Sequence, residues 1–328
     1  MYKNMALTLL SILLSLSSVT SLPAAQSQDC GLKRYASIDL VDSPRAKFLV
    51  PVTVEGTRGF MFLNTASPFS SMTESAANRL ALQTRQMPSG AQVRSGGRSI
   101  ERVATANGFT LGTVQFKSAD FVIINNNFSS GAEDVQVMGI LGMDVFANID
   151  IELDLANRKM NLFSQDHCAG HAVYWSKTFD SVPIRFGQLG EFYFPMELEG
   201  KKLETTLATG NSLTSLSTDV TRKLYNFDGQ SPDVETETDA AGRTTAHYRA
   251  MKLSGEGIQI INAHILLVDR PPNDGCHLGS RSGAAAYEGC FGAHPLQLGQ
   301  SVLTKLHIYI ATKEKVLYFT PAAAADQH

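Results

Sequence analysis

The sequence predicts an all-β protein built from two homologous lobes with short helices, and three observations carry that expectation. A block of residues near position 51 recurs near position 195. Both copies read as short β-branched and aromatic runs punctuated by glycine. A chain of 328 residues has the length of about two domains. The composition is that of an ordinary globular chain, with 43% hydrophobic and 18% charged residues, far from the signatures of disorder or collagen. The formal net charge of −3 lacks the basic footprint with which proteins neutralise phosphate backbones, so no nucleic-acid partner is expected.

The repeat organises the chain. Residues 51–80, PVTVEGTRGFMFLNTASPFSSMTESAANRL, align without a gap on 195–224, PMELEGKKLETTLATGNSLTSLSTDVTRKL, at an offset of 144. Pro51 meets Pro195, Gly56 meets Gly200, Leu63 meets Leu207, Thr65 meets Thr209 and Leu80 meets Leu224. A second block, LGMDVFANIDIEL at 141–153, recurs as LGQSVLTKLHIYI at 298–310, at an offset of 157.

Each half then reads in order. Phe48 to Val54 and Phe60 to Asn64 are strands around a turn at Gly56, and their copies flank Gly200. A helix over Glu74 to Leu80 with Thr73 as its cap is matched by Thr218 to Leu224. Gly96 and Gly97 in the first half, and Gly242 in the second, mark hairpin turns. Both halves close with an apolar Gly-rich strand, a one-turn helix near Asp144 or Ser301, and a strand pair. That pair is Ile149 to Asp154 with Lys159 to Phe163, then Leu306 to Ala311 with Val316 to Phe319. In this reading Asp144 is a helix cap, Asp150 and Asp154 face solvent, and His247 lies on a solvated strand face.

The N-terminus reads as a secretory signal. Lys3 precedes an apolar run from Ala6 to Leu16 and then small residues, with cleavage expected between Ser21 and Ala25. The run is shorter than the roughly 20 residues a membrane span needs. Removing residues 1–25 takes away only Lys3 among the charged groups and moves the formal charge from −3 to −4. The mature protein is therefore expected to be exported, periplasmic or secreted, without a membrane span and as a monomer. The expected organisation is a signal peptide at 1–25, a first lobe at 26–168, a linker at 169–180, a second lobe at 181–321 and a tail at 322–328. Export brings oxidising conditions, and Cys30, Cys168, Cys276 and Cys290 are an even set with three pairings open. The Gly-rich span between Cys276 and Cys290 suits local closure. That leaves Cys30 and Cys168 to tie the new N-terminus to the end of the first half.

The order of strand, Gly turn, apolar strand ending in a small tetrapeptide, helix, hairpin, GILGMDVF at 139–146 and paired strands resembles the retropepsin-like and pepsin-like aspartic proteases over nearly all of the mature chain. The resemblance implies two acid-protease-like β-barrel lobes with an interlobe cleft that binds an extended peptide. It also implies an Asp-Thr/Ser-Gly-Ala/Ser loop in each lobe. Here those loops read Asn64-Thr65-Ala66-Ser67 and Ala208-Thr209-Gly210-Asn211, so both catalytic aspartates are replaced. The kept threonines, which in the family bond across the lobe interface, imply loops that still interlock. Proteolysis by that mechanism needs two carboxylates sharing one proton. The amide of Asn64 can hold a water but cannot take its proton, and Ala208 can do neither.

No other chemistry stands out. The chain has no Gly-x-Ser-x-Gly elbow, phosphate-cradling loop, His-Glu-x-x-His or Cys-x-x-Cys. The group His167, Cys168 and His171 reads as a disulfide site rather than a metal site, so neither metal nor cofactor is expected. Asn127-Phe128-Ser129 is a glycosylation sequon if the host modifies exported proteins. The expectation is a pseudoprotease whose cleft binds an extended peptide or partner segment. Its floor would be Asn64, Thr65, Ser67, Thr209, Gly210 and Asn211, with Gly96, Gly97 and Gly242 in overhanging hairpins. The alternatives are an aspartic-type hydrolase with an atypical site and a ligand-free scaffold.

Overall fold

The computed structural model describes residues 30–43, 47–87, 91–95, 98–125, 136–187, 190–239, 242, 244–269, 287–290 and 295–322, with residues 47, 91–95, 98, 99 and 287–290 as backbone alone. The signal-like segment, the sequon, Gly96, Gly97 and Cys276 lie outside these residues. The described residues are mostly strands, with short helical segments at Glu74–Arg79, Met143–Phe146, Thr218–Val220 running on into Thr221–Tyr225, and Gln300–Leu303.

Strands Lys47–Val54 and Thr57–Leu63 pair antiparallel through Glu55 and Gly56, whose φ angles are +46° and +75°. A two-residue turn with both central residues in the left-handed region matches the twist of the flanking strands, which is why the second position is glycine. Strands Phe192–Leu198 and Lys201–Leu207 repeat this through Glu199 and Gly200, at +49° and +77°. Helix Glu74–Arg79 starts where expected, with the Thr73 hydroxyl accepting from the Ala76 N–H at 3.1 Å. Its counterpart is a short helix at Thr218–Val220 that widens into a π turn at Thr221–Tyr225.

The pairings around these elements recur. Strand Val137–Leu141 lies parallel to Thr57–Leu63 and antiparallel to Ser71–Thr73, which in turn runs parallel to Ala119–Ile124. In the second half Leu296–Leu298 lies parallel to Lys201–Leu207 and antiparallel to Thr214–Ser217, which runs parallel to Ile258–Val268. Gly142 and Gly299 follow the two inner strands where backbone meets backbone. A Cβ there would sit 2.5 Å from the Phe69 carbonyl carbon and 2.2 Å from that of Leu213, positions themselves 144 apart. No residue with a side chain fits either place.

A six-stranded sheet joins the halves, in the order Arg34–Asp39, Lys159–Phe163, Asp150–Asp154, Leu306–Ala311, Val316–Pro321, Asp180–Pro183. Its central pair, Asp150–Asp154 against Leu306–Ala311, has one strand from each half, with Ile151 opposite Ile310 and Leu153 opposite Ile308. These side chains enter the main core. The other face is also covered, because the chain after Cys168 crosses it and packs Ala172, Val173 and Trp175 onto Phe163, Tyr309 and Tyr318. Cys30 and Cys168 form a disulfide, with Cα atoms 4.8 Å apart, that fixes where this crossing begins.

That cover corrects the expectation for Asp150, which is fully buried rather than solvent-facing. Asp150 accepts from the N–H and hydroxyl of Thr312, both at 2.8 Å, and pairs with His167 Nε2 at 2.7 Å. Beside it the buried Glu152 meets His307 Nε2 at 2.8 Å, Asn161 Nδ2 at 3.1 Å and the Tyr174 hydroxyl at 2.8 Å. The His307 ring stacks on Trp175 at 3.9 Å. Asp154 is half-buried and accepts from Asn157 within its turn. Removing one member of a buried, hydrogen-bonded charge group destabilises by about 3–5 kcal/mol. Asp150→Ala is therefore expected to lower the urea midpoint by that equivalent, and Asp154→Ala by less than about 1 kcal/mol. Equal losses at the two positions would contradict the buried network.

Candidate functional site

The loops after the two equivalent strands are built alike. Asn64 donates its N–H to Leu141 O at 3.0 Å and Ala208 donates to Leu298 O at 2.8 Å, which fixes each loop to its own inner strand. Ser67 N–H closes a turn on Asn64 O, and Asn211 N–H closes one on Ala208 O, at 3.0 and 2.9 Å. Met143 N–H then holds Ser67 O, and Gln300 N–H holds Asn211 O, both at 2.8 Å.

The loops are clasped to each other through their threonines. Thr65 Oγ1 donates to Leu207 O at 2.7 Å and accepts from Thr209 N–H at 3.4 Å. Thr209 Oγ1 donates to Leu63 O at 3.0 Å and accepts from Thr65 N–H at 3.0 Å. Both threonines are buried. Each hydroxyl thus satisfies a carbonyl and an amide of the opposite half, groups that a buried strand end would otherwise leave unpaired. The interlocking implied by the two kept threonines is present.

Asn64 is half-buried, and its Oδ1 accepts from Ala66 N–H at 3.2 Å, which leaves Nδ2 as its side-chain donor. Its side chain lies against Gly210, where a Cβ would come 2.9 Å from Asn64 Cγ. Ala208 is fully buried and brings no polar group. Ser67 is buried and donates its hydroxyl to Phe69 O at 2.7 Å, so it is committed within its own loop. Asn211 Nδ2 donates to Gln297 Oε1 at 2.8 Å, and Gln300 Nε2 donates to Thr209 O at 2.7 Å. Gln297 and Gln300 escaped the sequence reading, although the repeat marks them. They stand where the first half has Ile140 and Met143, and an amide in place of an apolar side chain beside the loop is the signal.

Asp144 corrects the capping expectation. The one-turn helix Met143–Phe146 begins at Gly142 without a side-chain cap. The Asp144 carboxylate instead accepts from Ser70 N–H at 2.9 Å, from Ser70 Oγ at 2.6 Å and from Val145 N–H at 2.9 Å. Burial pushes this carboxyl above its ordinary 3.8, against the lowering pull of the Ser70 hydrogen bonds. Ser301 does the same work in the second half by accepting from Thr214 N–H at 3.3 Å. Both groups brace the loops from behind and neither belongs to them.

Asn64, Thr65, Ser67, Thr209, Gly210 and Asn211 therefore come together. Gly242 lies at the exposed hairpin turn between strands Val234–Thr238 and Thr244–Gly255, with φ +77°. His247, on the second of these strands, is 3% exposed and not solvated, because the neighbouring strand Ile258–Val268 stacks His264 on it and Thr245 of its own strand meets its Nε2. Among the described residues, neither loop carries an ionisable side chain.

Residues 50–145 match a family described as aspartyl protease. The first half of the chain thus carries an aspartic-protease-like domain, and the matched span runs from the first strand pair through the first loop to the helix after Gly142. No curated protein matches the chain.

Proposed function

We propose that the protein is an exported, catalytically silent, tandem aspartic-protease-like protein that holds an extended peptide segment over its paired loops. One observation carries the reading: the threonine clasp is complete while positions 64 and 208 hold no carboxylate. In the proposed organisation the lobes span 26–168 and 181–321 around a linker at 169–180. An extended peptide is recognised by main-chain hydrogen bonds and by pockets for alternate side chains, and neither needs a titrating dyad. Asn64 Nδ2, the donor of a side chain whose Oδ1 is held by Ala66 N–H, would meet a peptide carbonyl or terminal carboxylate. The commitment of the Ser67 hydroxyl to Phe69 O argues against a serine nucleophile in the same place.

The test passes a diverse peptide mixture over the immobilised protein from about pH 3 to pH 8, across the carboxylate and imidazole range, and reads retained and cleaved species by mass spectrometry. Intact peptides are expected to be retained, with affinity reduced about tenfold in Asn64→Leu, the loss of one or two hydrogen bonds. Cleavage that disappears in Asn64→Ala would establish a one-sided hydrolase instead. Retention of nothing would leave a scaffold.

A further inference from the structure

Three consecutive strands of the second half, Val234–Thr238, Thr244–Gly255 and Ile258–Val268, bring Glu237, His247 and His264 together. One ligating atom from each lies within 4.8 Å of the others. The two imidazoles are stacked, with centroids 4.5 Å apart and planes 18° from parallel. His247 Nε2 lies 3.7 Å from the Glu237 carboxylate and 2.8 Å from the Thr245 hydroxyl. His247 Nδ1 and His264 Nε2 are sealed from solvent without any hydrogen-bond partner. Buried polar atoms are paired as a rule, and two orphans in one cluster call for a missing partner.

The internal repeat supplies an independent argument. Strand registers place the counterparts of Glu237, His247 and His264 at Met87, Val103 and Asp120. There Val103 is buried among Ile100, Val122 and Ile124, with Met87 packed against the same cluster. At the positions of Glu237 and His247 the fold thus accepts an apolar contact, so packing does not call for a carboxylate and an imidazole there, while Asp120 in the place of His264 is exposed and pairs with Arg85 and Thr105. Nearby, Glu235 is engaged by Arg249 at 3.3 Å, and Arg249 lies opposite His264 in the strand register.

We propose that Glu237, His247 and His264 form a site for one divalent transition-metal ion of the Zn²⁺ class. Two imidazoles and one carboxylate suit that class in preference to Ca²⁺ or Mg²⁺, which take all-oxygen sets. Zn–N and Zn–O distances near 2.0–2.2 Å require the three ligating atoms to draw inward and the rings to leave their stack. The Glu237 side chain is 63% exposed and has the freedom to follow. Three protein ligands leave a fourth position open to water or to a ligand group. The ion would tie together three strands, including the pair that turns at Gly242.

The test uses the full chain after chelator treatment, titrated with Zn²⁺ by calorimetry and with Co²⁺ by visible absorption. One saturable equivalent is expected, with a Co²⁺ ligand-field band and a Zn²⁺-dependent rise in melting temperature. Glu237→Ala and His264→Gln should each weaken binding about tenfold or more and abolish the thermal shift. Glu237 is exposed, so its variant reports even if His264→Gln does not fold. No saturable binding of either ion, or binding within about twofold of the parent in Glu237→Ala, overturns the proposal.

Discussion

Returning a carboxylate to both loops together with glycine at position 66, as Asn64→Asp, Ala66→Gly and Ala208→Asp, is expected to yield an acid-active peptidase from a parent proposed to be silent. General acid and general base each contribute about 10²–10⁴ in rate, so cleavage of a peptide mixture should rise about 10⁴-fold or more. The glycine matters for a steric reason. Gly210 lies so close to Asn64 that a Cβ would come 2.9 Å from its Cγ. By the repeat, Ala66 stands toward position 208 in the same relation, and there the side chain is only a methyl. Room for Ala66 and loss of bulk at 208 belong together, so a carboxylate at 208 needs the space that the Ala66 methyl fills. The double change that leaves Ala66 in place is therefore expected to fall at least tenfold short of the triple change. Rates are measured by mass spectrometry from about pH 3 to pH 8, with activity confined to the range in which one proton is shared by the pair. A silent triple variant that remains folded would show that the loops lack the protease geometry.

The second large effect concerns the clasp. Thr65→Val removes the donor to Leu207 O and the acceptor for Thr209 N–H, and Thr209→Val does the same to Leu63 O and Thr65 N–H. Each substitution keeps the shape and orphans two buried backbone groups, worth about 1–3 kcal/mol apiece. Losses of about 2–5 kcal/mol are expected from urea unfolding, with Thr→Ser at either position retaining most of the stability. The two valine effects should be far from additive, because both act on one closed set of bonds. A loss below about 1 kcal/mol in both single variants would mean that the clasp contributes little to holding the halves together.

Much of this architecture is legible in the chain. The gap-free alignment of 51–80 on 195–224 locates both strand pairs, both loops and the Thr73 cap, because turn glycines and apolar strand ends have local causes. Gly142 is legible for the same reason, as its neighbour is backbone from a loop that the motif itself contains. The Asp150 and Glu152 network was not legible. The run Asp-Ile-Glu-Leu-Asp alternates as a strand with one wet face does, and only the long-range course of residues 168–175 makes that face dry. His247 was misread on the same grounds, since its burial depends on a histidine 17 positions away. Gln297 and Gln300 act through the loops from an inner strand and a helix start, and only a position-by-position comparison of the two copies exposes them.

The disulfide between Cys30 and Cys168 spans 138 residues and makes the whole first half a covalent ring. A single backbone cut anywhere inside that ring leaves one molecule, its two pieces held together by sulfur. In the unfolded chain the same ring removes loop-closure entropy equivalent to about 5 kcal/mol. The first half therefore has a resistance to nicking that the strand pairings alone do not supply, and a reducing environment withdraws it in one step.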